Sequence, residues 1–132
     1  MKMRNLFLIG LVLTMFSAHA QDKKSAAQLF DNGDFEGALE EYQVLLDKEP
    51  ANTLYNYRLG ICYLNTNIDK TKAIPYLEKA VTTADTDPNA MYLLGRAYHF
   101  SYKFDKAIEC FNKFQKAGKG TPENLKDAGK EI

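Results

Sequence analysis

Side chains that do chemistry are scarce in this chain. It has no tryptophan, two histidines and two cysteines in 132 residues. Zinc sites need closely spaced ligands, and Cys62, Cys110 and His99 are spread too widely to supply a pair. Beyond the first twenty residues His99 is the only histidine, and no serine, cysteine or carboxylate pair has a spacing that joins a nucleophile to a base. An enzyme is therefore not expected, and neither is a cofactor or a bound metal. Asp31, Asn32 and Asp34 around Gly33 look like half of a calcium loop, yet no acidic residue closes it at the required distance. A turn between two helices explains them better.

Long apolar runs are missing as well. A membrane-crossing helix takes about 20 residues, whereas the uncharged stretch from Leu6 to Phe16 has eleven. Lys2 and Arg4 precede it and Ala18-His19-Ala20 follows, the small-x-small pattern that a signal peptidase reads. Residues 1–20 are thus expected to be a cleaved secretory signal, with cleavage before Gln21. No cysteine follows that point, so a lipid-modified amino terminus is not indicated. Charge of one sign is lacking too: fifteen basic against seventeen acidic residues remain once Lys2 and Arg4 are removed, a net charge of −2. No basic footprint for nucleic acid or for a membrane surface results, and the mature chain is not expected to insert into a membrane. In an oxidising compartment Cys62 and Cys110 have the chance to pair. Their places, among packing residues on different helices one unit apart, favour two buried thiols.

What the chain does have is a period. Ala26, Gly60, Gly95 and Gly129 recur at steps of 34, 35 and 34, each followed three residues later by a bulky apolar residue: Leu29, Tyr63, Tyr98 and Ile132. A fixed period in this range means a stack of one supersecondary unit. In the first unit Ala26 and Leu29 share a helical face, Asp31-Asn32-Gly33-Asp34 breaks it, and Ala38, Tyr42 and Leu45 carry a second helix to Pro50. The second unit opens at Asn52-Thr53, breaks between Asn65 and Asp69, and resumes with Ala73, Leu77 and Ala80. Its break is one residue longer, and Pro75 requires its second helix to begin near Thr71. The third opens at Asp87-Pro88, where Asp caps free amides and Pro suits the first turn, and continues through Met91, Leu94 and Tyr98 to Ala107, Phe111 and Phe114. Glycine inside a helix costs about 1 kcal/mol against alanine. Its recurrence at one register points to close helix packing, with the large ring three residues on filling the gap beside it.

Leu59-Gly60-x-x-Tyr63 with Ala73-x-x-x-Leu77, and Leu94-Gly95-x-x-Tyr98 with Ala107-x-x-x-Phe111, resemble tetratricopeptide repeats. The resemblance covers nearly all of the mature chain, with Ser25 in place of a usual leucine, and Asn56 and Met91 where a tryptophan is common. It implies an all-α, right-handed superhelical stack with repeats at about 21–51, 52–86 and 87–120. Residues 121–132 add one more helix: Thr121-Pro122 repeats the start signal, and Leu125, Ala128, Gly129 and Ile132 fall on signature positions. That helix is either a cap, with Lys126, Asp127, Lys130 and Glu131 as its polar outer stripe, or the opening of a further repeat in a longer protein.

In such a stack the first helices line a concave face, and residues not spent on packing there are free to meet a protein or peptide partner. Tyr92, Arg96, His99 and Lys103 form one stripe, Tyr57, Ile61, Leu64 and Asn65 a second, and Lys23, Ala27 and Phe30 a third. The candidate groove residues are Lys23, Phe30, Tyr57, Asn65, Tyr92, Arg96, His99 and Lys103. Arginine among tyrosines suits an extended peptide or an acidic terminus. Repeats of this family that clamp chaperone carboxylate tails do so with lysines and asparagines; Lys23 is compatible, while Ala27 and Leu93 are not.

The secretory signal, Tyr57-Arg58-Leu59-Gly60-Ile61-Cys62-Tyr63-Leu64-Asn65 and the run from Ile68 to Ala80 together resemble the amino-terminal repeats of Bacteroidota envelope proteins of the OmpA type. The resemblance implies an exported interaction arm in the periplasm or on the periplasmic face of the outer membrane. It offers, as an alternative role, a docking module of a larger peptidoglycan-associated protein. Peptidoglycan contact would then belong to domains that this sequence does not contain.

Overall fold

The computed structural model describes residues 22–131, so the secretory signal expected at 1–20 and the signature position of Ile132 lie outside the described residues. Every regular element among the described residues is helical. Residues 22–31 form α1, followed by α2 (Phe35–Lys48), α3 (Thr53–Asn65), α4 (Ala73–Ala80), α5 (Ala90–Phe100), α6 (Phe104–Ala117) and α7 (Pro122–Glu131). Each helix from α2 onward packs on its neighbours in sequence, and α3 also meets α5 across the intervening helix. The result is a right-handed stack of helix pairs followed by a single helix, the architecture that the resemblance implies.

Helix ends follow short polar side chains. The carboxylate of Asp34 accepts the Gly37 amide at 3.0 Å, and Asn52 accepts the Tyr55 amide at 3.0 Å. Each satisfies one of the amides that a helix start leaves unpaired. Asp34 thereby serves the turn between α1 and α2, where Gly33 takes the left-handed conformation (φ 77°). At Asp87-Pro88 the expected start is displaced. Asp87 accepts the Asn89 amide at 2.8 Å and α5 proper begins at Ala90, so this motif builds the turn before the helix. At Thr121-Pro122 the helix does begin on the proline, with the Asn124 amide 3.3 Å from Thr121 Oγ1. The helix expected near Thr71 is also split: Lys70–Lys72 form a 3₁₀ turn and α4 runs from Ala73. Pro75 then falls in the first α-helical turn, where the amide it lacks has no carbonyl to meet.

The recurrent glycines mark where the two helices of a pair touch. A Cβ on Gly60 would lie 2.4 Å from Leu77 Cγ, and one on Gly95 would lie 2.6 Å from a ring carbon of Phe111. The notch is therefore filled from the second helix of the same pair, not by the tyrosine three residues on. Tyr63 instead stacks on Tyr76 at a centroid distance of 5.6 Å, and the buried Tyr98 donates its hydroxyl to Glu78 of the preceding pair.

Two clusters make up the core. Ala26, Ala38, Tyr42, Leu45, Leu59 and Cys62 form one, and Leu64, Leu77, Leu94, Phe111, Phe114 and Ala128 belong to the other. Helix α3 contributes to both. The two thiols thus sit in separate clusters, each buried and free.

Replacing Gly60 or Gly95 by alanine is expected to lower stability by about 1–3 kcal/mol through overpacking, despite the better helix propensity. Gly129→Ala meets only the end of the flexible Gln115 side chain, at 2.8 Å, and is expected to be neutral or to gain up to about 1 kcal/mol. Urea denaturation of the three variants measures the contrast.

Candidate functional site

Helices α1, α3, α5 and α7 present the face on which the candidate residues were placed, and the structure sorts those residues into groups. At the first end, Phe30 lies edge-on to Phe35 and Tyr42, with centroids 5.6 and 6.2 Å apart. The Arg58 guanidinium stands 4.9 Å from the Phe30 ring and donates to the Tyr42 hydroxyl. Lys23 reaches Glu49 at 2.8 Å and lies 5.9 Å from the centre of the Tyr55 ring. The Glu49 carboxylate, then Tyr55, holds the Lys23 ammonium above its ordinary pKa.

In the middle, Tyr57 and Ile61 are half-buried, and Leu54 is 49% exposed. Thr53, Leu54 and Tyr57 line a cavity of about 330 Å³ with Asp85, Thr86 and Asp87 from the connection before α5. Burial, and secondarily the Asp87 carboxylate, pushes the Tyr57 hydroxyl well up.

At the far end, Tyr92 and Arg96 of α5 line a cavity of about 570 Å³ whose other wall is α7, with Glu123, Asp127 and Lys130. Tyr92 is only 5% exposed. Its ring packs on Phe111 and Phe114, and its hydroxyl donates to Asp127 at 2.5 Å. Burial, then that hydrogen bond, pushes its pKa up to about 12. Arg96 lies over the rings of Tyr92 and Phe100 at 6.0 and 5.9 Å. His99 Nδ1 is 3.1 Å from Glu131 Oε2. Asp127 and Glu131, expected on an outer polar stripe, thus turn towards α5, while Leu125 and Ala128 join the core.

Two of the eight candidates lie at helix ends. Asn65 closes α3, its amide on the Ile61 carbonyl at 2.8 Å, beside the turn of the first pair. Lys103 does not continue the stripe of α5. That helix stops at Phe100, Tyr102 takes φ 57°, and Lys103 precedes α6 on the far side of the turn. The sequence reading missed Arg58, whose only signal was a cation four residues after the exposed Leu54. It also missed Asn89, whose side-chain oxygen accepts from the Thr121 amide at 3.0 Å and from the Asn124 amide group at 2.9 Å. No group of three His, Cys, Asp or Glu among the described residues is placed to hold a metal.

An open stack of helix pairs, its surface made of aromatic, aliphatic and cationic side chains, defines a helical-repeat protein-interaction scaffold. Tetratricopeptide-repeat profiles match residues 23–88 and 88–117, and the chain belongs to the tetratricopeptide repeat family. No curated protein matches it. Among solved structures it is similar to the first tetratricopeptide-repeat domain of Spaghetti (RPAP3) bound to the HSP90 peptide SRMEEVD, at 18% identity and a TM-score of 0.69. That likeness covers 86% of this chain and 89% of the other. It is also similar to the N-terminal domain of stress-induced protein-1 (STI-1) from C. elegans, at 21% identity and a TM-score of 0.65, over 89% of this chain and 96% of that one. At these identities the likeness concerns the fold.

The thiols offer a direct probe of the stack. Burial pushes Cys62 up to about 12 and Cys110 up to about 11, from an ordinary 9.0. Both are therefore neutral and shielded at pH 8, and iodoacetamide is expected to label them at the rate at which the stack opens. Because both values are raised on folding, the stability linked to the neutral thiols is complete below pH 9 and is lost as pH climbs through about 11 and 12. Labelling as fast as in urea would show that the clusters are not closed.

Proposed function

We propose that this chain is an exported binding scaffold that holds a peptide segment of an envelope protein along the face of α1, α3, α5 and α7. One observation carries the reading: on α3 Leu54 is exposed and Tyr57 and Ile61 are half-buried, Leu54 and Tyr57 line a cavity of about 330 Å³, and α5 and α7 line a second of about 570 Å³. Apolar floor with polar groups at either end is what an extended segment needs, since the rings and aliphatic groups give contact area and Arg96 gives direction. A similar fold has been solved with the HSP90 peptide SRMEEVD, which supports a peptide as the class of ligand. It does not support that peptide here. Lys23 is engaged by Glu49, and Ala27 and Leu93 have no polar side-chain atom to offer a terminal carboxylate.

Peptide display against the purified chain, followed by affinity measurement on selected sequences, tests the face. Leu54→Glu and Arg96→Glu, both at positions that keep solvent contact, are expected to weaken selected peptides at least about tenfold, which is about 1.4 kcal/mol. Unchanged affinity in both would remove this face as the binding surface. Tyr92 is unsuitable for the purpose because truncating it disturbs the packing between α5 and α6.

Export rests on residues 1–20 and has its own measurement. Intact mass spectrometry of the protein from fractionated cells is expected to show the loss of those residues. A chain that keeps them in the cytoplasmic fraction would overturn the location and leave the binding face untouched.

A further inference from the structure

Exposed apolar side chains are not spread evenly over the chain. Phe100, Tyr102, Phe104 and Ile108, four of the large hydrophobic residues most open to solvent, fall in nine consecutive positions around the turn from α5 to α6. Tyr102 is the extreme case, at 83% exposure. It is also the only non-glycine among the described residues with a positive φ, at 57°, whereas the corresponding turn of the first pair uses Gly33 at φ 77°. A left-handed L-residue costs about 1–2 kcal/mol, and here the ring's one aromatic neighbour is Phe104, edge-on at 6.2 Å. Strain held at a solvent-facing aromatic calls for a contact outside the fold.

A receptor of matching character lies on the chain itself. Leu46, Pro50, Pro75 and Tyr76 form the apolar walls of a cavity of about 550 Å³ between α2 and α4. Its uncharged polar members are already bonded: the Asn56 amide to the carbonyls of Pro50 and Asn52 at 3.2 and 2.9 Å, and the Tyr76 hydroxyl to Gln43 at 3.0 Å. What remains on offer is apolar surface, with Asp47 and Lys79 among the lining residues. The turn carries charges of both signs as well, Lys103 between the two rings and Asp105 after Phe104.

The geometry points to head-to-tail association of two copies of this chain, with Tyr102 of one copy seated in the α2–α4 cavity of the next and Lys103 paired with Asp47. The turn belongs to the third pair of helices, and the cavity lies between the second helices of the first and second pairs, so the contact is one between copies. A contact between unlike patches is heterologous and extends into chains or a ring. A single knob and cavity bury less surface than a stable dimer needs, so the association is weak. Phe100 borders the peptide face beneath Arg96, but Tyr102 and the α2–α4 cavity are not part of that face, and the inference stands or falls separately from it.

Sedimentation velocity and light scattering of the full chain, at increasing concentration up to about 1 mM, read the association directly. The average mass is expected to climb past that of a monomer in the wild type, and to stay monomeric in Tyr102→Gly, which relieves the strained backbone, and in Asp47→Lys. Mixed together, these two variants retain one intact cavity and one intact knob, and are expected to give a one-to-one complex that does not extend. A wild type that is monomeric throughout, variants that associate like the wild type, or a mixture that forms no complex would each overturn the proposal. Far-UV circular dichroism of both variants checks that loss of association is not loss of fold.

Discussion

A missing side chain organises this molecule. At Gly60 and Gly95 the first helix of a pair has no Cβ, and Leu77 or Phe111 from the second helix enters the space left free. Dispersion and apolar burial then act at a helix separation that alanine would not permit. Ala26 marks the same register in the first pair, fully buried. Close pairing within each unit leaves other side chains of the first helices to work between units: Tyr98 reaches Glu78, and Arg58 bridges Phe30 and Tyr42. The stack follows from many short contacts of this kind, with no single central core.

Period, helix pairing and the glycine register were all legible in the sequence, because they depend on spacing alone. What fills the notch was not. A residue three positions on lies on the same helix and cannot enter a gap that faces away from it towards a partner. The filler sits sixteen residues later in the third unit and seventeen later in the second, and the extra residue is the one that lengthens the second turn. Helix ends were legible where a small polar residue caps them, as at Asn52, and misread where the terminating residue was unconventional. Tyr102 occupies a left-handed position that glycine usually marks, so Lys103 read as the next member of a helical stripe.

The candidate face was legible in outline for the same reason and obscured in detail for another. Arginine, lysine and tyrosine are the residues of recognition, but they are also the residues that fasten one repeat to the next through hydrogen bonds and ring contacts. Tyr92 serves the second purpose in this structure, held by Asp127 of α7, and Lys23 is engaged within its own unit by Glu49. Leu54, Tyr57, Ile61 and Arg96 keep surface to offer. Only three-dimensional neighbours separate the two uses, since the side chains and their spacing are the same.

Division of the apolar interior into two clusters, with α3 shared between them, gives the molecule a seam. Leu59 and Cys62 of that helix serve the front cluster and Leu64 the rear one, so one continuous helix carries the lined face from the first half of the stack to the second.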